Sequence, residues 1–255
     1  MYSMRKPIIF NTPYEFDEIV VYFANDIHVG SGEFSSRKWD AFEKLLEPKN
    51  AYVMFVGDQL ENALRNAKSD SYRGMRPHEE KEWWIKHLRP IAPKTICLID
   101  GNHEQRTSKD TDMFPLYDIA LAVGIEDRYR SEAAFVDIGV GKRCPSSNRQ
   151  YRYVGYAVHK AQNNLKYGTV DGVWNVDFCV SAHKHAPADL PHGYLVYDGK
   201  NKSISERTVE NIVSGSFLEY GGYGARAGYR PASQKLYKMV LDGKSKKITT
   251  VGFHL

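Results

Sequence analysis

The chain has 255 residues, 42% of them apolar and 26% charged, with a net charge of +4. That is the composition of an ordinary soluble globular protein, long enough for one large domain or two small ones. The charge balance is compatible with anionic substrates but too modest to argue for nucleic-acid binding on its own. No apolar stretch approaches the roughly 20 residues needed to cross a bilayer.

Three cysteines, Cys97, Cys144 and Cys179, are scattered without a C-x-x-C pair. Two of them lie in apolar runs and read as core thiols of a protein in a reducing compartment. The opening residues lead into only a few apolar ones and show no signal peptide, so the expected location is cytoplasmic.

In chain order, Ile19–Ala24 reads as a buried strand ending at Asn25-Asp26-Ile27-His28. Ser35 or Ser36 then caps a helix carrying Trp39, Phe42, Leu45 and Leu46 on one face. That stripe is core packing. Ala51–Val56 is a second strand, closing at Gly57-Asp58-Gln59-Leu60-Glu61-Asn62. A polar, basic stretch, Asn66–Arg76, precedes a helix over His78–Arg89 with Trp83, Trp84 and Leu88 inward. Lys94–Ile99 is a third strand, stopped at Gly101-Asn102-His103-Glu104, and a helix over Asp112–Val123 ends at Gly124. Strands and helices thus alternate through the first half, which implies a mostly parallel sheet.

The second half is richer in strands: Phe135–Val140, Tyr151–Val158 ending at His159, and Val176–Val180 followed by Ser181-Ala182-His183-Lys184-His185. Hairpins are expected around Asp198-Gly199-Lys200 and Asp242-Gly243-Lys244. A second, more antiparallel sheet packed on the first gives an α/β fold, a four-layer αββα sandwich of two mixed β-sheets flanked by helices. No internal repeat or linker divides it, so a single domain over 1–255 is expected.

The residues that end these strands carry the chemistry. They are Asp26 and His28, then Asp58, Asn102, His103 and Glu104, then His159, His183 and His185. A lone imidazole at a strand end is ordinarily a structural group. Here five of the nine histidines fall at strand ends, alongside matching acid and amide partners, and independent coincidence does not account for that. In a strand, residues two apart point the same way, so Asp26/His28 and His183/His185 can each aim at one point. Carboxylates, an amide oxygen and several imidazoles suit a pair of borderline divalent transition metals better than calcium. Asp58, midway in the order, is the natural bridge.

The ordered set Asp-x-His, Gly-Asp-x-x-Glu-Asn, Gly-Asn-His-Glu, His and x-His-x-His resembles the calcineurin-like metallophosphoesterases. It spans Asp26 to His185, about two-thirds of the chain. The resemblance implies a two-metal hydrolase of phosphate esters, with metals that are manganese or one of iron, zinc, nickel and cobalt. One ion would take Asp26, His28, Asp58 and His185, and the other Asp58, Asn102, His159 and His183. His103 would act on the leaving group, with Glu104 orienting it and Arg106 reaching a phosphate oxygen.

Where the family has Gly before the last His-x-His, this chain has Ala182, whose Cβ restricts φ at a tight approach, but both imidazoles remain and metal binding is expected to survive. Arginines that the family's protein phosphatases use on phosphate are absent, and the double-histidine motif is similar to that of the phosphodiesterase and DNA-repair-exonuclease branch. A nuclease acting on DNA or RNA is therefore expected. The alternatives are a phosphomonoesterase, a nucleotide or cyclic-nucleotide hydrolase, or a non-catalytic binding subunit. Two basic, aromatic stretches are candidate polyanion surfaces: Lys142-Arg143 with Arg149, Tyr151, Arg152 and Tyr153, and the Gly/Tyr-rich segment Tyr220–Arg230. The second resembles segments that follow these motifs in phage-type stand-alone members of the family.

Overall fold

Strands β3 (Ala51–Val56) and β4 (Thr95–Ile99) are buried along their entire length, which is why they read as unbroken apolar runs. The computed structural model describes residues 6–64, 74–144, 150–160, 173–228, 230–231 and 233–255. Most of the basic stretch Asn66–Arg76, together with Arg149 and Tyr229, lies outside them.

Around β3 and β4 runs a six-stranded sheet in the order β13-β12-β2-β3-β4-β5, where β2 is Glu18–Ala24, β5 Tyr129–Arg130, β12 Leu236–Asp242 and β13 Ile248–Phe253. Strands β2 to β5 are parallel, and β12 joins β2 antiparallel. The C-terminal hairpin thus completes the first sheet, an assignment the sequence pattern left open. Local alternation specifies a hairpin but not the edge on which it docks.

The second sheet runs β1-β6-β7-β8-β11-β10, with β1 Ile8–Asn11, β6 Ala133–Val140, β7 Tyr151–Val158, β8 Phe178–Ser181, β10 His192–Asp198 and β11 Ser203–Val213. The short β9 (Ala188–Asp189) also pairs with β11. Both sheets are mixed, so the fold is an α/β sandwich.

The main core lies between the sheets, where Val21, Phe23, Met54, Val56 and Ile99 of one meet Val136, Ile138, Phe178, Val180 and Ile212 of the other. The outer face of the first sheet is covered by α1 (Ser36–Leu45), α2 (Pro77–Ile91) and α4 (Pro115–Val123), through Trp39, Phe42, Trp84, Leu88, Leu116 and Ile119. Gly124, at φ 76°, ends α4 as its position predicts. Ser35 stands at the start of α1 but makes no side-chain cap bond. An unforeseen helix, α3 (Glu104–Thr111), begins directly at Glu104.

Cys97 and Cys179 are buried free thiols, and burial pushes both thiols up to about 12. No described helix is long and apolar enough to cross a membrane.

Candidate metal centre

Two loops at the ends of β2 and β3 run side by side and set the floor of the site. The amide of Asp26 donates to Gly57 O, those of Ile27 and His28 both donate to Asp58 O, and Val29 donates to Gln59 O, all at 2.9–3.1 Å. Asp26, His28 and Asp58 lie in the left-handed backbone region at φ 48°, 51° and 52°, and His183 and His185 at 72° and 51°. Each such residue costs on the order of 1 kcal/mol or more and persists only where its surroundings enforce it. The two-residue alternation of a strand therefore does not aim these side chains. They stand past the strand ends, turned by left-handed residues.

These side chains converge. Asp26 Oδ1 lies 3.9 Å from His28 Nε2, 4.0 Å from His159 Nε2 and 3.0 Å from His185 Nε2. Asp58 Oδ2 lies 3.8 Å from His28 Nε2, 3.1 Å from His159 Nε2 and 3.9 Å from His103 Nε2. Three triads each bring one ligand atom per residue within 4.8 Å: Asp26–His28–His185, Asp58–His159–His183 and His28–Asp58–His103. The first two are subsets of the two expected ligand groups. The sequence singled out Asp58 as the bridge, yet Asp26 faces both groups as closely.

The inward-facing atoms fit a cation. His28 Nε2, His159 Nε2 and Asn102 Oδ1 are buried, and Asn102 Oδ1 has no hydrogen-bond donor. The two imidazole nitrogens face only the Asp26 and Asp58 carboxylates, without a well-aligned hydrogen bond. The opposite ring nitrogens are committed: His28 Nδ1 to Glu61 Oε2 at 2.9 Å, and His159 Nδ1 to Val56 O at 2.8 Å. Fixing one nitrogen on a carboxylate or carbonyl, with the other aimed into the site, is how ligand imidazoles are oriented.

Electrostatics agree. Burial pushes the Asp58 and Asp26 carboxyls up, but the surrounding imidazoles outweigh it and hold both far below the usual range. Burial opposes charge on His28 and His159 as well, yet Glu61, Asp58 and Asp26 raise His28 to about 9, and Asp58 with Asp26 raises His159 to about 10. Buried carboxylates that hold protons on neighbouring imidazoles offer a divalent cation the same attraction, with proton release on binding.

His103 sits at the rim. Its Nδ1 donates to Glu61 O at 2.7 Å, its Nε2 accepts from Arg106 Nη2 at 2.8 Å, and its ring meets that of His28 edge-on at 4.3 Å. Burial and the nearby His28 charge push it down to about 4. Glu104 does not touch it. The Glu104 carboxylate accepts from the amides of Asp58 (3.1 Å), Leu60 (2.8 Å) and Gly101 (2.7 Å). Orientation of His103 falls to Glu61 and Arg106, while Glu104 ties the β3 and β4 loops together.

Glycines permit the close approach. A Cβ on Gly57, at φ 88°, would lie 2.3 Å from His159 Nδ1, and one on Gly101 would lie 2.0 Å from Asp58 Oδ1. Ala182 causes no such conflict. It is buried in the main core outside the left-handed region, and the tight turn is taken by His183, whose amide donates to Asp26 Oδ2 at 3.0 Å.

Several supporting residues were not singled out by the sequence reading. Glu61 lies inside the second motif, where an acid next to a ligand Asp was the available signal. Asn62 Nδ2 donates to His103 O at 2.6 Å. Asn25 Nδ2 donates to Asp26 Oδ2, and Ser216 Oγ to Asp26 O. Ser216, remote along the chain, gave no signal.

The two polyanion candidates part company. Tyr151, Arg152 and Tyr153 open β7, whose other end leads to His159, so roughly 20–26 Å of strand separates them from it at about 3.3 Å per residue. Arg152 is also committed to Asp137 at 2.7 Å, and Tyr153 is buried, so these two do not offer themselves to a polyanion, while Arg149 lies outside the described residues. The Gly/Tyr-rich segment does begin beside the site. Phe217 N donates to Asp26 O at 3.2 Å, Glu219 N to Glu33 O at 2.9 Å, and the short helix α5 (Gly222–Arg226) follows.

Fold and site together define an α/β sandwich with a buried Asp/His cluster suited to divalent cations at its strand ends. No family model matches the chain, and no curated protein matches it. Solved structures do. YfcE, described as a phosphoesterase from E. coli, is 17% identical with a TM-score of 0.43, the match covering 91% of this chain and 98% of that one. A single mutant of Vps29 from Entamoeba histolytica is 13% identical with a TM-score of 0.37, over 93% and 99% of the two chains. Likenesses this distant carry no argument about activity, which has to come from the site.

Proposed function

We propose that this chain is a dinuclear-metal-dependent phosphoesterase of the calcineurin-like class, built as one domain and acting on phosphodiesters, with nucleic acid as the favoured substrate. The observation that carries the reading is the meeting of Asp26, His28, Asp58, His159, His183 and His185 in triads of 4.8 Å. Asp26, His28 and His185 would hold one ion. Asn102, His159 and His183 would hold the other, with Asp58 shared. Bound there, divalent ions such as manganese supply the Lewis acidity that makes water nucleophilic near neutral pH and offsets charge on a phosphoryl group.

The chain's own groups do the rest. His103 keeps one proton on Nδ1, fixed on the Glu61 carbonyl, and presents Nε2 toward the leaving oxygen. Burial and the His28 charge keep Nε2 bare in the free protein. A phosphate anion beside it would favour uptake of a proton from solvent at Nε2, and that proton would pass to the departing alkoxide. Arg106, already at His103 Nε2, is within reach of a phosphate oxygen. The segment over 220–230, which follows directly on the Asp26 contacts, is the proposed substrate loop.

The test is a panel of bis-p-nitrophenyl phosphate, p-nitrophenyl phosphate, cyclic nucleotides and end-labelled DNA, each with and without manganese. Diester and DNA cleavage is expected, with binding that weakens as salt rises. Cleavage of the monoester alone would replace the nuclease reading by a phosphomonoesterase. His103→Ala should keep its metal and lose about 10²- to 10⁴-fold in rate on unactivated esters. Asp58→Ala should lose both ions by elemental analysis, and full occupancy in that variant would refute the shared ligand.

A further inference from the structure

Strand β10 is the outer strand of the second sheet, and no described strand pairs with its outer edge. Its register with β11 runs unbroken over seven residue pairs, from His192↔Val209 to Asp198↔Ser203. Natural edge strands are protected by brevity, by a bulge, by proline, by charged side chains or by a covering segment. His192–Asp198 holds no bulge, proline or lysine, and its one charged residue, Asp198, stands at the very end. By contrast β1 has four residues and β5 two, and the sole large apolar exposure on β13 is Val251 at 37%.

The faces of the hairpin differ. Tyr194 points to the side of the satellite core of Tyr156, Cys179 and Val209, where Trp174 meets it at 5.6 Å. On the opposite face Leu195, Tyr197 and Ile204 stand together, since Tyr197 pairs with Ile204 and Leu195 is two residues away. They are 68%, 64% and 69% exposed, and with Trp174 they are the four most exposed large apolar side chains among the described residues. An exposed apolar cluster beside a free strand edge marks an interaction surface.

We propose that β10 is a homodimer seam, pairing antiparallel with β10 of a second copy about a two-fold axis at Leu195. The sequence is self-complementary in that register. Leu195 faces Leu195, and Tyr194 faces Val196. Tyr197 lies over Gly193 of the second copy, where a Cβ would meet nothing within 4 Å, so the ring has room to cover the glycine. His192 falls opposite Asp198, an imidazole against a carboxylate at each end of the ladder. Pairing joins the two second sheets into one and sets Leu195 and Tyr197 of each copy side by side, so that their flanks are buried and the two apolar clusters become one continuous face. A two-fold interface requires this self-matching.

Analytical ultracentrifugation of the full chain over about a hundredfold range of concentration tests the seam. The wild type is expected at twice the chain mass. Leu195→Lys, which sets two ammonium groups opposite each other, should raise the dissociation constant by about tenfold or more while leaving circular dichroism and metal-dependent activity unchanged. A second variant is independent of charge. In a Cys144→Ser background, Leu195→Cys should oxidise to a covalent dimer, because directly opposed residues have Cα atoms about 4.5 or 5.5 Å apart, both within disulfide reach. Lys200→Cys, at the hairpin tip, should not. A wild type that remains monomeric overturns the proposal. So does a dimer that survives Leu195→Lys and fails to cross-link at position 195.

Discussion

Glu104 offers the sharpest test of how the site is built. Its buried carboxylate accepts three backbone amides, from Asp58, Leu60 and Gly101, at 2.7–3.1 Å. Glu104→Gln keeps one acceptor oxygen and turns an amino group toward at least one of those donors. A buried donor left unmet costs about 1–3 kcal/mol, so the substitution should cost about 2–3 kcal/mol. Glu104→Ala leaves all three amides unmet, with partial relief from water entering the space, and should cost about 4 kcal/mol. Against a typical stability of about 5–15 kcal/mol, both losses are measurable by urea unfolding. Because the amides belong to the loops carrying Asp58 and Asn102, metal affinity by calorimetry should fall in parallel. If Glu104 served only to orient His103, stability and metal affinity would stay at wild-type values and only the rate would change. A Glu104→Gln protein with an unshifted urea midpoint would refute the loop-tying role.

Two further outcomes follow from the packing around the site. Gly57→Ala combines φ 88° with a Cβ 2.3 Å from His159 Nδ1, so it should cost about 2–4 kcal/mol and displace the imidazole. Elemental analysis should then find one tightly held ion in place of two, and full occupancy at wild-type stability would contradict the close approach. Glu80 is buried against Asn62 N and is pushed by burial from 4.5 up to about 8. Between those values the native state binds more protons than the unfolded chain, so this group lowers stability as pH rises from about 4.5 to 8. Glu80→Gln keeps an acceptor for Asn62 N without the charge. It should flatten that slope and exceed the wild type in urea midpoint at pH 8, whereas identical pH profiles would show that Glu80 does not titrate in this window.

The sequence by itself determined the longer strands, most of the helices and the identity of the clustered residues, but not the short β1, β5 and β9. Apolar runs such as Ala51–Val56 are buried on both faces, so their pattern is a local consequence of where they end up, and each run stops at the polar residues that make the site. The alternation in the second half likewise located β6, β7 and the β10–β11 hairpin. What a linear pattern could not contain was any choice between equivalent partners. The β12–β13 hairpin could complete either sheet, and pairing with β2 was decided by the packing of Met239 and Leu241 into the inter-sheet core. Arg152 and Tyr153 joined a basic, aromatic stretch by composition, but composition does not show that the ion pair with Asp137 and burial in the sheet engage them. Glu104, adjacent to His103 along the chain, is turned away from it because α3 starts at that residue and points its carboxylate back at Gly101 N. Asp26, His28, Asp58, His183 and His185 come together through left-handed turns, a backbone state that side-chain identity permits but that only the hydrogen bonds between neighbouring loops impose.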